Sequence, residues 1–134
     1  MLEVQDSRFK AQDNNSRPNT DIRKESYEFA LSIIKYLEAL PKDYICSIIG
    51  KQLLRSGTSI GANIVEARSA SSRKDFINFY TYALKSANET KFWLELLKDS
   101  KKSDFVSNKH LFEKASAISN IIARSIITMK GNKY

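Results

Sequence analysis

The stretch from Leu54 to Leu94, LRSGTSIGANIVEARSASSRKDFINFYTYALKSANETKFWL, decides the fold that we expect for this chain. Its first half combines small and polar residues, and its second half is rich in aromatic residues. Polar residues spaced by three or four positions share one face of a helix. We expect such residues to form a structural polar network that fixes helix register and oligomeric state. The predicted members of this network are Ser56, Ser59, Asn63, Glu66, Ser86 and Glu89.

Apolar residues recur with a helical period before and within this stretch. A first helix is predicted over residues 20–40, because Pro41 denies a longer helix its next N–H. A second helix is predicted over residues 43–68, where Gly57 and Gly61 indicate that another element approaches the backbone closely. The residues expected on the apolar stripes are Tyr27, Ala30, Leu31, Ile34 and Leu37 in the first helix, and Ile45, Ile49, Leu53, Ile60, Ile64 and Ala67 in the second.

Two further helices are expected after the polar connection SASSRKD. Ser72, followed three residues later by Asp75, resembles a capping box at the start of a helix over residues 73–100. A fourth helix is predicted from residue 105 or 107 to residue 129. The expected apolar arcs are Phe76, Phe79, Tyr80, Ala83, Ala87, Thr90, Leu94 and Leu97 in the third helix, and Leu111, Ala115, Ile118, Ile122, Ser125 and Met129 in the fourth. With its aromatic flanks, the third arc is wider than one bundle interior requires, which indicates contact with another subunit.

Four amphipathic helices with short connections predict an all-α protein. We expect one antiparallel up-down-up-down four-helix bundle over residues 20–130. Residues 1–19 are polar and lack an apolar period, so they are predicted to be a flexible arm, and residues 131–134 a basic tail. The sequence has no recognisable membrane span or signal peptide, and its single Cys46 cannot form an intramolecular disulfide. The expectation is therefore a soluble cytoplasmic protein.

The positive charge of the chain favours an anionic partner. The net charge is +7, from 22 Lys and Arg against 15 Asp and Glu, and the excess lies after residue 40. RNA or DNA is such a partner, while a basic surface that is merely solvated stays an alternative. In an antiparallel bundle the second and third connections lie at opposite ends, so one continuous patch requires oligomerisation or a long groove. The cations near these connections that we expect to contact phosphates are Arg68, Arg73, Lys74, Lys101, Lys102 and Lys109.

The residue inventory argues against catalysis. The one histidine, His110, cannot supply the two Glu-x-x-His pairs of a di-iron bundle, and Cys46 has no positioned base. A Gly-rich phosphate loop is also missing from the sequence. We therefore predict no enzymatic activity and no catalytic, cofactor-binding or metal-binding residues. Glu66 and Glu89 are expected to be hydrogen-bonded structural carboxylates, and the aromatic residues of the third helix to lie in the core or a subunit interface.

One set of residues in the deciding stretch resembles the signature of a known bacterial family. The set is Ser56, Ser59, Ile60, Ala62, Asn63, Ile64 and Glu66, then Asp75, Phe76, Phe79, Ala83, Ser86, Ala87 and Glu89. It looks like that of the small four-helix-bundle proteins encoded within intervening sequences of large-subunit ribosomal RNA genes. It is also similar to the accessory variability determinant of diversity-generating retroelements. The chain departs from the usual pattern at Ala67 and Lys85, where the family often has glycine.

The resemblance implies an assembly and a class of ligand. It implies a homopentameric barrel with a basic surface and, in the retroelement branch, binding to nucleic acid and to a reverse transcriptase. Two hypotheses follow: a non-enzymatic homo-oligomer that binds nucleic acid, RNA before DNA, or an oligomeric scaffold that docks another protein. A coherent basic face on the oligomer favours the first hypothesis, and interspersed charges favour the second. A small molecule bound at the polar face is a further alternative.

Overall fold

The computed structural model describes residues 21–131, which form four helices and no strand. Every observed boundary lies within two residues of the predicted one. The predicted arm over residues 1–19 lies outside the described residues, as does the predicted tail except Gly131, which ends the last helix. The helices are α1 (Ile22–Glu38), α2 (Tyr44–Ala67), α3 (Arg73–Asp99) and α4 (Phe105–Gly131).

Short polar side chains fix where the helices begin. Asp43 accepts a hydrogen bond from the backbone N–H of Cys46 (2.8 Å), and Asp104 accepts one from that of Ser107 (2.8 Å). Ser72 accepts from the backbone N–H of Asp75 at 3.0 Å, as the capping box predicts. Such caps satisfy backbone N–H groups that have no partner inside the helix.

The return arm of the capping box differs from the prediction. The Asp75 carboxylate accepts from the backbone N–H of Ser71 (3.1 Å), one residue before the cap. The Ser71 hydroxyl lies 3.4 Å from the same carboxylate oxygen. The short connection between α2 and α3 is thus held to the first turn of α3 by two adjacent serines: Ser72 accepts from Asp75, and Ser71 donates to it.

The four helices surround one apolar core. α1 packs against α2 and α4, and α3 packs against the same two helices. Each helix contributes side chains that are almost completely removed from solvent, for example Ile33, Leu53, Leu94 and Ile122. The chain therefore forms a four-helix bundle, as predicted. The buried residues of α3 also match the expected arc, since they are Ala83, Ala87, Thr90, Leu94 and Leu97.

The predicted apolar stripe of α1 is wrong for Leu31 and Ile34, although its last member, Leu37, packs against the core. Leu31 and Ile34 are 43% and 41% exposed, and the buried hydrophobic residues of α1 are Phe29, Ile33 and Tyr36. The segment carries two overlapping apolar stripes, and the period alone does not decide which one faces the core. Ile45 of α2 was likewise expected on the buried stripe, but it is 45% exposed because it lies in the first turn, beside the connection to α1.

Two of the three glycines of α2 decide which face of α1 is buried. A Cβ at Gly57 would lie 3.0 Å from Cγ1 of Ile33, and a Cβ at Gly61 would lie 3.2 Å from Oγ of Ser26. The absence of these side chains lets α1 approach with its Ser26 and Ile33 face. The predicted close approach to the glycines of α2 is therefore confirmed.

Candidate nucleic-acid interface

The predicted phosphate-contacting residues fall into two groups at the two ends of α3. The Arg73 end comprises the connection between α2 and α3 and the last turn of α4, with the predicted cations Arg68, Arg73 and Lys74, to which the structure adds Lys130. The Lys101 end comprises the connection between α3 and α4 and the first turns of α4, with the cations Lys101, Lys102 and Lys109. At 1.5 Å per residue, the 27 residues of α3 separate these ends by about 40 Å. One chain does not bring the two groups together.

The cations of the Arg73 end lie on open helix ends. The Arg73 guanidinium donates through Nη1 to the backbone carbonyl oxygen of Met129 (2.8 Å), which joins the start of α3 to the end of α4. The four cations of this end are exposed. Over residues 21–131, no carboxylate lies within 4.0 Å of any of them. Their charge is thus not neutralised by an ion pair with the described residues.

Acidic partners hold two of the three predicted cations at the Lys101 end. Lys102 Nζ lies 3.2 Å from Oδ2 of Asp43, and Lys109 Nζ lies 3.5 Å from Oε2 of Glu113 one turn along α4. Lys101 itself has no ion pair with the described residues. It is the one non-glycine residue between positions 21 and 131 with a positive φ, of 61°. Two of these three cations are therefore less available to a phosphate than those of the Arg73 end.

A buried amide that the sequence analysis missed organises the inside of the Lys101 end. Asn108 Nδ2 donates to the Tyr36 hydroxyl (2.8 Å) and to the Leu94 carbonyl oxygen (2.8 Å), and the Ser103 hydroxyl lies 3.3 Å away. Asn108 is 1% exposed. Burial also raises the pKa of the Tyr36 hydroxyl, which keeps it neutral. Asn108 is in phase with the predicted stripe that begins at Leu111, so its burial was predictable from the period of α4, although its partners were not.

Part of the predicted polar network forms a seam between α2 and α3. Ser56 is buried, and its hydroxyl shares a hydrogen bond of 2.9 Å with the Thr90 hydroxyl of α3. The Thr90 hydroxyl also lies 2.8 Å from the backbone carbonyl oxygen of Ser86 in its own helix. Thr90 was expected on the apolar arc only. A threonine at a buried position can bond its own helix and still meet a hydroxyl across the seam.

Glu89 forms the second contact of this seam. Its carboxylate is bound by the Arg55 guanidinium of α2 and accepts a hydrogen bond from Nε1 of Trp93 (2.9 Å) one turn along α3. Arg55 is more than half exposed, so the ion pair is partly screened by solvent. This contact agrees with the expectation that Glu89 is a hydrogen-bonded structural carboxylate.

The remaining predicted network residues do not reach α3 within the described chain. The Ser59 hydroxyl donates to the Arg55 carbonyl oxygen (2.6 Å), and Asn63 Nδ2 donates to the Ser59 carbonyl oxygen (2.9 Å), so both bonds stay within α2. Glu66 is exposed. Its role in contacts between subunits stays a prediction.

The described residues offer little support for other chemistry. Cys46 is buried, and burial raises the pKa of its thiol, so the reactive thiolate is disfavoured. Residues 21–131 contain no group of three or more His, Cys, Asp or Glu side chains that could hold a metal ion. In the same range, no helix is both long and apolar enough to cross a membrane.

The sequence matches a known protein family over most of its length. Residues 18–124 match the family described as 23S rRNA-intervening sequence protein. The match covers most of the chain, including the whole seam between α2 and α3. The chain belongs to this family. The expected relation to ribosomal RNA intervening-sequence proteins is therefore confirmed, whereas the relation to retroelement accessory determinants stays a prediction.

A solved structure has a similar fold. It is a protein of unknown function from the S23 ribosomal protein family of Bacteroides thetaiotaomicron, 41% identical in sequence with a TM-score of 0.72. The match covers 78% of the present chain and 97% of that protein. A search of curated proteins found no match to the chain.

Proposed function

We propose that this 23S rRNA-intervening sequence family member is a non-enzymatic, homo-oligomeric RNA-binding protein of the cytoplasm. The observation that carries the proposal is the set of exposed cations at the Arg73 end, which have no acidic partner among residues 21–131. Family membership favours RNA over DNA as the anion. Cations on open helix ends suit the phosphate backbone, whose contacts give affinity and position but little sequence specificity.

The proposed assembly consists of antiparallel up-down-up-down bundles. Residue pairs between neighbouring helices support this order, because numbers rise on one helix as they fall on the other. On α1 and α2, Leu37 meets Gly50 and Ser26 meets Gly61. On α3 and α4, Leu94 bonds Asn108 and Arg73 bonds Met129.

Exposed apolar side chains support a homo-oligomer. Tyr82 and Phe92 of α3 are 51% and 57% exposed, and Leu96 continues the same side of the helix one turn further. Ile45 and Ile48 on the first turns of α2 are also largely exposed. Large apolar side chains exposed on one side of a helix mark an interaction site, and a second copy of the chain, in a closed ring such as the pentamer that the resemblance implies, would cover them.

The same apolar side chains support a second candidate function. If a different protein covers Tyr82, Phe92 and Leu96, the chain is an oligomeric scaffold or adaptor, with a reverse transcriptase as one such partner. The cations would then steer that partner or maintain solubility. A measurement of RNA binding by the intact oligomer separates the two functions. The RNA-binding function requires such binding, and the scaffold function does not.

The test is fluorescence-anisotropy titration of a structured RNA and a matched DNA duplex across a salt series. We expect the protein to bind RNA. The logarithm of the association constant should fall linearly with the logarithm of salt concentration, and the slope reports the number of phosphates contacted. R73E/K74E should weaken this binding while the mass of the oligomer in solution stays the same. A matched charge reversal away from the Arg73 end, K51E/K85E at two exposed lysines of α2 and α3, is the control.

Two outcomes would contradict the proposal. Absence of RNA binding even at low salt would favour the scaffold. Equal loss of binding in R73E/K74E and in K51E/K85E would show that net charge, and not the Arg73 end, attracts the RNA.

A further inference from the structure

A cleft at the Lys101 end combines an apolar floor with cations at its rim. It has a volume of about 680 Å³ and lies between the second half of α1, the connection from α3 to α4 and the first turns of α4. Tyr36, Leu40 and Leu111 contribute to its floor, and Lys35, Lys101 and His110 to its rim. A volume of this size suits a small organic ligand.

The charge around the cleft favours an anion. Lys35 and Lys101 have no ion pair with any residue over positions 21–131, while Lys102 is held by Asp43. The one carboxylate in the lining, Asp104, accepts a hydrogen bond from the backbone N–H of Ser107 (2.8 Å) at the start of α4. It therefore caps that helix, and the positive charge available to a ligand comes from the lysines.

The backbone conformation of Lys101 is unusual for a lysine. Lys101 follows the end of α3 with φ of 61°, the left-handed conformation in which glycine is usual. The N–H groups of Lys101 and Lys102 donate to the carbonyl oxygens of Lys98 and Leu97, each at 3.0 Å, which is the Schellman pattern. A lysine at the glycine position of this motif is conformationally unfavourable, and unfavourable conformations concentrate at functional sites.

We propose that this cleft binds one nucleotide, with its base on the floor of Tyr36, Leu40 and Leu111 and its phosphate between Lys35 and Lys101. The hydroxyls of Ser32, Ser103 and Ser107, which also line the cleft, can bond the ribose or the edge of the base. Ser32 already donates to the Glu28 carbonyl oxygen and Ser103 already accepts from Asn108, but a purely apolar anion such as a fatty acid would make no use of the remaining hydrogen-bonding capacity of these hydroxyls. The open side of the cleft admits a nucleotide that belongs to a longer strand.

This inference rests on the proposed RNA binding only for the source of the nucleotide. The same chemistry recognises a free nucleoside monophosphate and an unpaired residue of RNA. The probes for isothermal titration calorimetry are therefore UMP and AMP, a single-stranded RNA hexamer, a blunt RNA duplex, inorganic phosphate and laurate. We expect dissociation constants of roughly 10–100 µM for the mononucleotides, tighter binding of the hexamer, and no saturable binding of phosphate or laurate.

Two variants test the cleft without removing its buried residues. Lys101→Gly removes the charge and suits the backbone, so it should weaken UMP binding at least about fivefold while the melting temperature stays the same or rises. Val106→Glu places an anion at the exposed start of α4, where a carboxylate is favourable, and should abolish UMP binding in a folded protein. The double variant K24Q/K85Q removes two charges outside the cleft and should bind UMP like the wild type.

The outcomes separate this inference from the proposed function. Binding of the duplex with no binding of UMP, AMP or the hexamer would overturn the cleft and leave the proposed function intact. Binding of UMP that K101G weakens, with no binding of structured RNA, would support the cleft and overturn the proposed function. Laurate binding in place of UMP, or unchanged UMP binding in both K101G and V106E, would also overturn the cleft.

Discussion

The two ends of the bundle carry similar numbers of cations but hold them differently. At the Arg73 end, Arg73 bonds a backbone carbonyl, and Arg68, Lys74 and Lys130 have no acidic partner within residues 21–131. At the Lys101 end, two of the three predicted cations form ion pairs with acidic residues. The buried amide of Asn108 bonds Tyr36 and Leu94 beside the connection from α3 to α4. The number of lysines and arginines in a segment therefore does not measure the charge that it offers to an anion, because ion pairs within the fold consume part of it.

RNA affinity should show the largest difference between the two ends. Replacing Arg68, Arg73 and Lys74 by glutamine removes three unpaired charges, and we expect about a hundredfold loss of affinity for structured RNA near 0.1 M salt. The slope of log affinity against log salt should become shallower by about two to three. Fluorescence anisotropy over a salt series measures both quantities.

The matched variant K101Q/K102Q/K109Q removes the same charge from the other end. Two of its lysines already form ion pairs, so the loss should be about tenfold or less and the slope should change by about one. Equal losses for the two triple variants would mean that the ion pairs at the Lys101 end open on binding. The difference between the ends would then have no functional consequence.

The free energy of unfolding should depend more on the Lys101 end than on the Arg73 end. Asn108→Ala leaves the Leu94 carbonyl and Tyr36 hydroxyl without their buried donor, and we expect the free energy of unfolding to fall by about 2 kcal/mol. Arg73→Gln removes an exposed hydrogen bond to Met129, which should cost less than about 0.5 kcal/mol. Urea unfolding at one fixed protein concentration measures both changes, since oligomerisation makes stability depend on concentration.

A larger loss of stability in Arg73→Gln than in Asn108→Ala would contradict this prediction. If Arg73→Gln costs more than Asn108→Ala, the link between α3 and α4 at the Arg73 end holds the bundle together. The Lys101 end would then be peripheral to stability.

The features of this fold that follow from the sequence are those that a single segment determines by itself. Helix boundaries were predictable because Pro41 and Ser72 act locally, through a missing N–H and a side-chain cap. The buried face of α1 was not, because Leu31 and Ile33 belong to equally regular stripes and the close approach of α2 at Gly57 selects one of them.

The candidate site was predictable only in part, for the same physical reason. The types and chain positions of the cations were apparent from the sequence, but the pairing of Lys102 with Asp43 joins residues 59 positions apart. The cleft likewise requires α1 and the connection after α3 to lie together. No periodicity within one segment contains that information.

Acid should loosen the Lys101 end before the Arg73 end, and this is the smallest effect that we predict. Asp43 and Asp104 cap α2 and α4 at the Lys101 end, and the backbone N–H groups of Cys46 and Ser107 hold the pKa of each carboxyl below its usual range. Lys102 lowers the pKa of Asp43 further.

The sign of the pH effect follows from these lowered pKa values. A carboxyl whose pKa is lower in the folded state stabilises fully above its unfolded pKa, about 3.9, and loses this contribution as the pH falls through the folded value. Hydrogen exchange of the Cys46 and Ser107 amides, corrected for the intrinsic rate, should therefore accelerate below about pH 4.

The Asp75 amide is the internal control, because its acceptor at the Arg73 end is the Ser72 hydroxyl, which does not titrate in this range. D43N and D104N keep a capping side chain that cannot be protonated, so each should flatten the response of its own helix. Equal acceleration at Asp75 would mean that acid opens the bundle as one unit, and the two ends would then share one stability.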